Sequence, residues 1–348
     1  MAEAARRLRS EETRHNLRIV AAVAAASAGA GAAFTWIAYH TSPLQGAVTG
    51  TIIGALWMSF QLFAARPLQR LPFGIALLLR TIGFTALILA GLNTGIFLFG
   101  TRENPHSLDP ASLRFYWTVS DWPIDVMFSF AVGGVMTFLV TVNLLIGPGV
   151  LTAFLLGRYY RPRAEERVFL FADLVGSTAL AERLGDLRFH ALLQRVVADL
   201  SDPIRASRGR IDRYIGDAVV VTWPLREGVA EARALRCAVL MQERLAAEAP
   251  AYRRGFGAAP AIRIGLHAGP VVAGEIGVFK KEILFLGDTV NMAARVAEAC
   301  KTFGRPLLLT RELRALLDLP PGWRAESLGP FQARGRARPT ELFTVVPG

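Results

Sequence analysis

The sequence has few of the features that mark secreted or nucleic-acid-binding proteins. It contains only two cysteines, Cys237 and Cys300, both in segments with a helical pattern. This argues against a disulfide or a metal pair and predicts reduced core thiols in a cytosolic domain. The formal net charge is +11, but most of the excess is scattered arginine, with no lysine-rich tract and no interleaving of basic and aromatic residues. We therefore predict no nucleic-acid partner.

Long hydrophobic runs, in contrast, are abundant. Hydrophobic residues make up 52% of the 348 residues, which is too many for an ordinary pair of soluble domains. Four runs reach the length of about 20 residues that a bilayer requires. They cover residues 16–39, 44–65, 81–100 and 124 to about 156. We predict an all-α region of four transmembrane helices, within a membrane domain at residues 17–159 that lies in a lipid bilayer.

The arginines between these runs predict the topology. They cluster after the second and fourth runs, whereas the turn at residues 39–45 carries neither Lys nor Arg. The polar, arginine-rich residues 1–16 are not followed by a small-residue cleavage pattern, so we expect a cytoplasmic tail and not a signal peptide. Positive residues favour the cytoplasmic side. The sequence thus predicts a multi-pass protein of the inner (plasma) membrane with both termini and the C-terminal domain in the cytoplasm.

Two further predictions concern a charged residue before the third run and the backbone of the fourth run. A charge at the bilayer centre is costly, so we expect residues 67–80 to form an interfacial segment that ends with Arg80 at the headgroups. The alternative is that Arg80 is part of an intramembrane switch. Gly147, Pro148 and Gly149 predict a kink in the fourth run.

The rest of the chain is organised around residues 167–178, RVFLFADLVGST. An apolar strand delivers Asp173 to its C-terminal edge, and Gly176, Ser177 and Thr178 follow as a tight turn into a helix. Free N–H groups at a helix start can hold an anion, and a carboxylate beside them suggests a metal that bridges protein and polyphosphate. By itself the pattern is equally consistent with Asp173 as a turn former.

Further polar residues recur at the ends of predicted elements downstream. Residues 209–223 predict a β-hairpin with Asp217 at its tip. His267 lies in the middle of a strand without a paired nucleophile, which predicts a hydrogen-bonded core histidine. Asn291 and Arg295 are four residues apart on a predicted helix and so share one face.

These motifs together resemble the class III adenylate/guanylate cyclase catalytic domain. FADLVGST, GRIDRYIGDAVV, IGLHAGPVVAGEIG and GDTVNMAAR occur in the family's order and at its spacing, within residues 167–346. The resemblance implies a C-terminal α+β cyclase domain at residues 160–348 with a βαββαβ, ferredoxin-like core. It also implies a homodimer with nucleotide sites at the subunit interface.

The resemblance assigns roles to individual residues. It implies that Asp173, Asp217 and the Leu174 carbonyl bind two Mg²⁺ or Mn²⁺ ions per site, and that Asn291 and Arg295 are catalytic. Gly176, Ser177, Thr178 and Arg334 would bind the substrate's phosphates. Arg213 occupies the position of the family's adenine-selecting lysine, and Leu284 replaces a residue that usually hydrogen-bonds the base. Arg213 can still donate to adenine, so ATP is the expected substrate.

We therefore predict a membrane-bound adenylate cyclase. It would convert ATP to 3′,5′-cyclic AMP and pyrophosphate by in-line attack of the ribose 3′-OH. Three alternatives remain: a guanylate cyclase, a catalytically silent nucleotide-binding membrane sensor, and a diguanylate cyclase. The last is disfavoured because the hairpin tip, Ile215 to Ala218, lacks the second Gly and the Glu-Phe of a GGDEF motif.

Overall fold

A computed structural model of the chain describes residues 2–39, 42–64, 68, 71–99, 108–119, 122–147, 149–333 and 339–347. The chain divides into two compact units. One consists of Gly147–Gly348 together with Met1–Leu8, and the other of Arg9–Ile146. The residues outside the described ranges include Arg334 and parts of the segment that links the third and fourth hydrophobic runs.

The described residues of the Arg9–Ile146 unit form helices joined by short non-helical segments. Its elements, with the N-terminal helix that starts before it, are α1 (Ala2–Phe34), a π-helical turn (Thr35–Tyr39), α2 (Pro43–Ser59), a second π-helical turn (Phe60–Ala64), α3 (Phe73–Phe99), α4 (Pro110–Val119) and α5 (Trp122–Ile146). Small residues let α1 and α2 approach closely. A Cβ atom added to Gly46 would lie 2.1 Å from the Gly31 carbonyl oxygen, and one added to Gly50 would lie 2.2 Å from that of Ser27.

Two described helical stretches are long and apolar enough to cross a membrane, Leu17–Ile37 and Phe73–Phe99, and Ser129–Asn143 is a shorter apolar helix. Arg80 lies within the third helix and not before it. α3 begins at Phe73, directly after Pro72, and carries Arg80 in its interior with only 2% of its surface exposed. The third run therefore begins eight residues earlier than predicted, because the apolar segment before Arg80 continues the same helix.

The fourth run is broken and not merely kinked. α5 ends at Ile146, and Gly147 and Gly149 adopt positive φ angles of 99° and 81°. These left-handed conformations suit glycine, which has no Cβ, and they separate α5 from a short helix, α6 (Val150–Leu155).

The Gly147–Gly348 unit is a mixed α/β structure. After α6 its elements are β1 (Arg163–Leu174), α7 (Ser177–Leu184), α8 (Asp186–Ala206), β2 (Arg210–Ile215), β3 (Ala218–Pro224), α9 (Leu225–Val229), a 3₁₀ turn (Ala230–Ala232), α10 (Arg233–Phe256), β4 (Ile262–Ile276), β5 (Glu282–Leu286), α11 (Asp288–Phe303), β6 (Leu307–Thr310), α12 (Arg311–Arg314), β7 (Trp323–Phe331) and β8 (Thr340–Pro347).

Within the described ranges these strands form one sheet in the order β2-β3-β1-β4-β6-β8-β7, with β5 paired to β4. β1 is central: it is antiparallel to β3 on one side and to β4 on the other. The first four strands with their two connecting helical segments form the predicted βαββαβ core. The apolar run of β1 suits this place, because both faces of the strand are buried. Val168 and Leu170 cluster with side chains of α8 and α10, and Phe169 and Phe171 cluster with Ala293 and Ala297 of α11.

The core of this unit is apolar and closely packed. Val168 and Leu170 of β1 and Trp223 of β3 are completely buried, and they belong to one cluster with side chains of α8 and α10. Both cysteines are buried and unbridged, as predicted, and burial raises the pKa of each thiol to about 12. Both thiols therefore stay protonated and unreactive near neutral pH.

Two elements differ from the sequence-based expectation. The helix predicted after Thr178 is divided into α7 and α8 by Gly185, whose φ of 72° ends the first helix. The strand predicted around His267 continues without a break to Ile276 as β4, because Gly269 and Pro270 remain in the ladder opposite Arg167 and Glu166.

Candidate active site

Asp173 lies where the sequence predicted it, at the end of the central strand. It is the penultimate residue of β1 and pairs with Arg263 of β4 across the ladder. The apolar residues before it are buried, whereas the Asp173 side chain is 41% exposed. The strand thus fixes a carboxylate at the sheet edge, where a ligand can reach it.

Asp217 lies in the turn of the neighbouring hairpin. Gly216, with a φ of 60°, and Asp217 connect β2 to β3, and β3 pairs with β1 so that Val219 is opposite Ala172. The hairpin therefore brings Asp217 to the same sheet edge as Asp173. Its Oδ2 atom is buried and has no hydrogen-bond partner among the described residues.

The two carboxylates interact electrostatically. Burial raises the pKa of Asp173, and the nearby Asp217 and Glu298 raise it further, whereas Arg263 opposes the increase. The Arg263 guanidinium lies 3.9 Å from the Asp173 carboxylate. The two neighbouring carboxylates repel each other when both are ionised, and one of them has a buried oxygen without a partner. A cation bound between them would stabilise their ionised forms.

The turn after Asp173 has the predicted geometry. Gly176 has a φ of 67° and precedes the first residue of α7, Ser177, and no side chain caps this helix start. The first N–H groups of an α-helix have no partner within the helix, so those that follow Ser177 are available to an anion. The structure therefore places a helix start without a side-chain cap a few residues after the first acid.

Asn291 and Arg295 lie on α11, as predicted, one turn apart. Asn291 is exposed, and Arg295 is half-buried with its Nη1 atom 3.6 Å from Asp288. That nitrogen is shielded from solvent and makes no hydrogen bond within the described residues. The described contacts do not join either residue to the two acids of the same chain.

Arg213 and Leu284 lie on the strands that flank the core. Arg213 follows an irregularity in β2, and its Nε donates to the Asp212 carboxylate at 2.7 Å. Leu284 is half-buried on β5, opposite Gly274. Lys280 and, more weakly, Arg213 lower the pKa of Glu282, two residues before Leu284, so Arg213 and β5 are within electrostatic reach of one another. Arg334 lies outside the described residues.

The sequence analysis missed Arg263 and Glu298. Arg263 is near the start of β4, and Glu298 follows Arg295 on α11. Neither belongs to a sequence motif that indicates a metal or nucleotide site. Only the cross-strand register places Arg263 beside Asp173. The prediction for His267 is confirmed, because its Nδ1 lies 2.7 Å from the Thr310 hydroxyl in the buried core.

The residues fit a divalent metal that is shared with a substrate. Among the described residues no group of three or more Asp, Glu, His or Cys side chains could hold a metal alone. Mg²⁺ in phosphoryl-transfer sites, however, commonly uses one or two carboxylates and completes its shell with substrate phosphates and water. Asp173 and Asp217 beside an anion-binding turn meet that requirement.

The βαββαβ fold agrees with the resemblance to the nucleotidyl cyclases. The family model described as "Adenylate and Guanylate cyclase catalytic domain" matches residues 159–345, and the chain belongs to this family.

Individual relatives agree with this assignment. The chain is 41% identical over 223 residues to "Adenylate cyclase 2" of Rhizobium meliloti (strain 1021), an alignment that covers 64% of this chain and 61% of that protein. It is 28% identical to "Adenylate cyclase 1" of the same organism, over 52% of this chain and 28% of the relative. The chain thus spans less than two thirds of the length of these relatives.

A solved structure of a bacterial light-regulated adenylyl cyclase has the same fold. It superimposes with a TM-score of 0.55 at 21% sequence identity, covering 63% of this chain and 62% of that one.

Proposed function

We propose that the protein is a membrane-anchored adenylate cyclase that converts ATP to 3′,5′-cyclic AMP and pyrophosphate. The observation that carries the proposal is the pair Asp173 and Asp217, held at one sheet edge, with an unpartnered buried oxygen on Asp217 and a raised pKa on Asp173. The relative with 41% identity is named an adenylate cyclase, which supports the same reaction here.

Each part of the site has a role in this reaction. Asp173, Asp217 and the Leu174 carbonyl would hold two divalent ions, Mg²⁺ or Mn²⁺. When bound, such ions lower the pKa of the ribose 3′-OH and neutralise charge on the departing pyrophosphate. The backbone N–H groups that follow Gly176, including those of Ser177 and Thr178, donate hydrogen bonds to the phosphate oxygens. Arg263 is placed to meet phosphate charge beside Asp173, and we assign Arg334 to the terminal phosphates.

Arg295 and Asn291 act on the reacting part of the nucleotide. The Arg295 guanidinium stabilises charge that develops on the α-phosphate, and Asn291 orients the ribose so that its 3′-oxygen is in line with the leaving group. The shielded Nη1 of Arg295 supports this role, because a donor without a hydrogen bond in the free enzyme can meet a phosphate oxygen without first breaking one.

Base selection depends on Arg213 and Leu284. Leu284 cannot hydrogen-bond a purine, whereas Arg213 donates and is already oriented by Asp212 at 2.7 Å.

The purified full-length chain should therefore produce cyclic AMP from ATP with Mg²⁺ or Mn²⁺, and much less cyclic GMP from GTP. Arg213→Lys should preserve this preference, and Arg213→Glu should depress the use of ATP. Cyclic GMP as the main product would instead support the guanylate cyclase alternative, and no product from either nucleotide would support the silent sensor.

We further propose that the enzyme works as a homodimer. In this arrangement Asp173 and Asp217 of one subunit face Arg213, Asn291, Arg295 and Arg334 of the other. Asp173→Ala and Arg295→Ala should each be nearly inactive, but a mixed dimer has one site without either lesion. Random pairing makes about half of the dimers mixed, so co-expression should restore about a quarter of wild-type activity. Activity no higher than the sum of the separate variants, with mixed dimers verified by pull-down, would rule out the shared site.

The membrane anchor is proposed from the Arg9–Ile146 unit. Its two spanning-length helices carry large apolar side chains on the outside, among them Ile75, Leu78 and Ile82 of α3. We propose four spans, formed by α1, α2, α3 and α5, with both termini in the cytoplasm. Cysteine labelling from each side of sealed vesicles would test this topology, and labelling of either terminus from outside would overturn it.

A further inference from the structure

Arg167, the first buried residue of β1, connects three strands of the sheet. Only 3% of its surface is exposed. Its Nε atom donates to the Thr222 hydroxyl of β3 at 3.0 Å, and its Nη1 atom donates to the Glu165 carboxylate of β1, also at 3.0 Å. The guanidinium carbon lies over the Phe285 ring of β5, 4.3 Å from the ring centroid. The side chain therefore joins β1 to β3 on one side and to β5 on the other.

The partners of this guanidinium are themselves held in place. A buried guanidinium is stable only when it is paired and hydrogen-bonded, and Glu165 provides the opposite charge. The second carboxylate oxygen of Glu165 accepts a hydrogen bond from the Tyr159 hydroxyl at 3.0 Å. The Thr222 hydroxyl donates in turn to the Val168 carbonyl oxygen at 3.0 Å. The guanidinium thus has a fixed orientation between the strands.

These strands lead to the two residues that we assign to the nucleotide base. Leu284 directly precedes Phe285 on β5. On the other side, Thr222 of β3 pairs with Arg210 of β2, the strand that carries Arg213. Arg213 also lies within electrostatic reach of β5. The buried guanidinium therefore lies between β5 and the β2–β3 hairpin, which together carry the base-selecting residues.

We propose that Arg167 is a positioning residue for the nucleotide base. It holds β5 and the β2–β3 hairpin at the separation that a purine requires between Leu284 and Arg213. Its effect passes through the Phe285 ring and the Thr222 hydroxyl, and it needs the planar fork of arginine, which can stack on a ring and donate sideways at the same time. The inference rests on the proposed nucleotide site, from which it takes the roles of Leu284 and Arg213.

The test compares a ligand that has a base with one that has none. 3′-Deoxy-ATP carries the base and the phosphates but lacks the hydroxyl that attacks, so it binds without turnover. Inorganic tripolyphosphate can use only the metal-binding and phosphate-binding groups. Isothermal titration calorimetry of the purified full-length protein with the Mn²⁺ complex of each ligand gives the two Kd values.

Loss of the arginine fork should weaken the binding of the base alone. Arg167→Lys keeps the charge beside Glu165 and removes the fork, so we expect the Kd of 3′-deoxy-ATP to rise about tenfold. The Kd of tripolyphosphate should stay the same. Phe285→Leu keeps an apolar side chain and removes the ring, with an expected rise of about threefold. Because both residues act through one contact, the two losses should not add in the double variant.

The α8–α10 pair offers matched controls. Arg195 of α8 has the same two kinds of contact, with its guanidinium carbon 4.7 Å from the Tyr252 ring centroid and its Nη2 atom 3.4 Å from Glu248. Phe256 also packs against Tyr252, with ring centroids 6.3 Å apart. Arg195→Lys and Phe256→Leu should leave both Kd values unchanged. Light scattering should show the same oligomeric state for every variant.

Two results with Arg167→Lys would overturn the proposal. An equal loss of affinity for both ligands would mean that the variant disturbs the whole site, and unchanged affinity for both would mean that the strands keep their positions without the fork. If Arg167→Lys does not fold, Phe285→Leu decides by the same comparison. The proposed function fails separately, if the wild-type protein forms no cyclic nucleotide from ATP while the two ligands still bind.

Discussion

The Gly147–Gly348 unit buries large apolar side chains in its core, whereas α3 of the Arg9–Ile146 unit exposes several of its own. In the first, Phe169, Leu170 and Trp223 are fully buried. In the second, Leu78 is 54% exposed, while the buried positions of α3 include Thr81, Thr85 and Gly91. The burial of apolar surface stabilises the first unit against water. The second has an exterior suited to lipid, where close contacts between small residues and buried hydrogen bonds take over the stabilising role.

The same contrast separates two kinds of buried polar group. In the cyclase unit, the unpartnered Oδ2 atom of Asp217 lies at the sheet edge, next to the partly exposed Asp173. In the helical unit, polar atoms of Gln61 and Thr137 are also buried and make no hydrogen bond among the described residues. The first of these atoms lies beside a site that a ligand from solution can reach.

The largest predicted effect concerns the sheet edge. Asp217→Ala should lower cyclase activity by about a thousandfold or more, because one of the two metal-binding acids is lost. Stability in the absence of metal should not fall, since the buried Oδ2 has no hydrogen bond to lose. Initial rates of cyclic AMP formation and the Tm measure the two effects. The control is Asp202→Ala, an exposed acid of α8. Activity near that of wild type at saturating Mn²⁺ would refute the metal assignment.

The second prediction compares the same substitution in the two units. Leu170→Ala, at a fully buried position of β1, should lower the free energy of unfolding by about 2–5 kcal/mol, through lost burial and a cavity. Leu78→Ala, at an exposed position of α3, leaves no cavity and should change stability by less than about 1 kcal/mol in micelles. Denaturant unfolding of the purified chain measures both. Equal losses would mean that the exterior of α3 is packed against protein.

The third prediction tests the close approach of helices in the second unit. Gly50→Ala would place a Cβ atom 2.2 Å from the Ser27 carbonyl oxygen, so α1 and α2 must separate. We expect a loss of about 1–3 kcal/mol, as for other overpacked interiors. Gly29→Ala in α1 is the matched control, because nothing lies within 4 Å of the added atom. Alanine favours the helix there by up to about 1 kcal/mol. If both variants behave alike, α1 and α2 do not pack through these glycines.

The sequence predicted the cyclase unit well because its signals are local. β1 is an apolar run that ends with Asp173 and Leu174, and Gly176 marks the turn after it. Gly216 marks the turn that carries Asp217. Arg263 was missed because only the register between β1 and β4 places it beside Asp173. The burial of Arg80 could not be predicted, because hydropathy gives the cost of placing its charge in a membrane but does not indicate which side chains surround it.

The smallest predicted effect is a pH-dependent change in stability at the sheet edge. Burial, together with Asp217, raises the pKa of Asp173 above its value in the unfolded chain. Folding therefore favours the protonated acid, so stability falls as pH rises through the interval between the unfolded and folded pKa values, and the full cost is present above it. Asp173→Asn carries no charge at any pH. In the absence of metal its Tm should exceed that of wild type at pH 8, and the difference should vanish at acidic pH, below the ordinary pKa of aspartate.

Saturating Mn²⁺ should reverse the order at pH 8, because the metal stabilises the ionised pair in wild type and finds only one acid in the variant. Asp202→Asn provides the control, since this exposed residue lies away from the site on α8 and should show neither effect. A variant that is less stable than wild type at pH 8 without metal would show that Asp173 is stabilised in its ionised form. In that case the attraction of Arg263, at 3.9 Å, would lower the pKa of Asp173 by more than burial and Asp217 raise it. The negative charge of Asp173 would then be compensated before any cation binds.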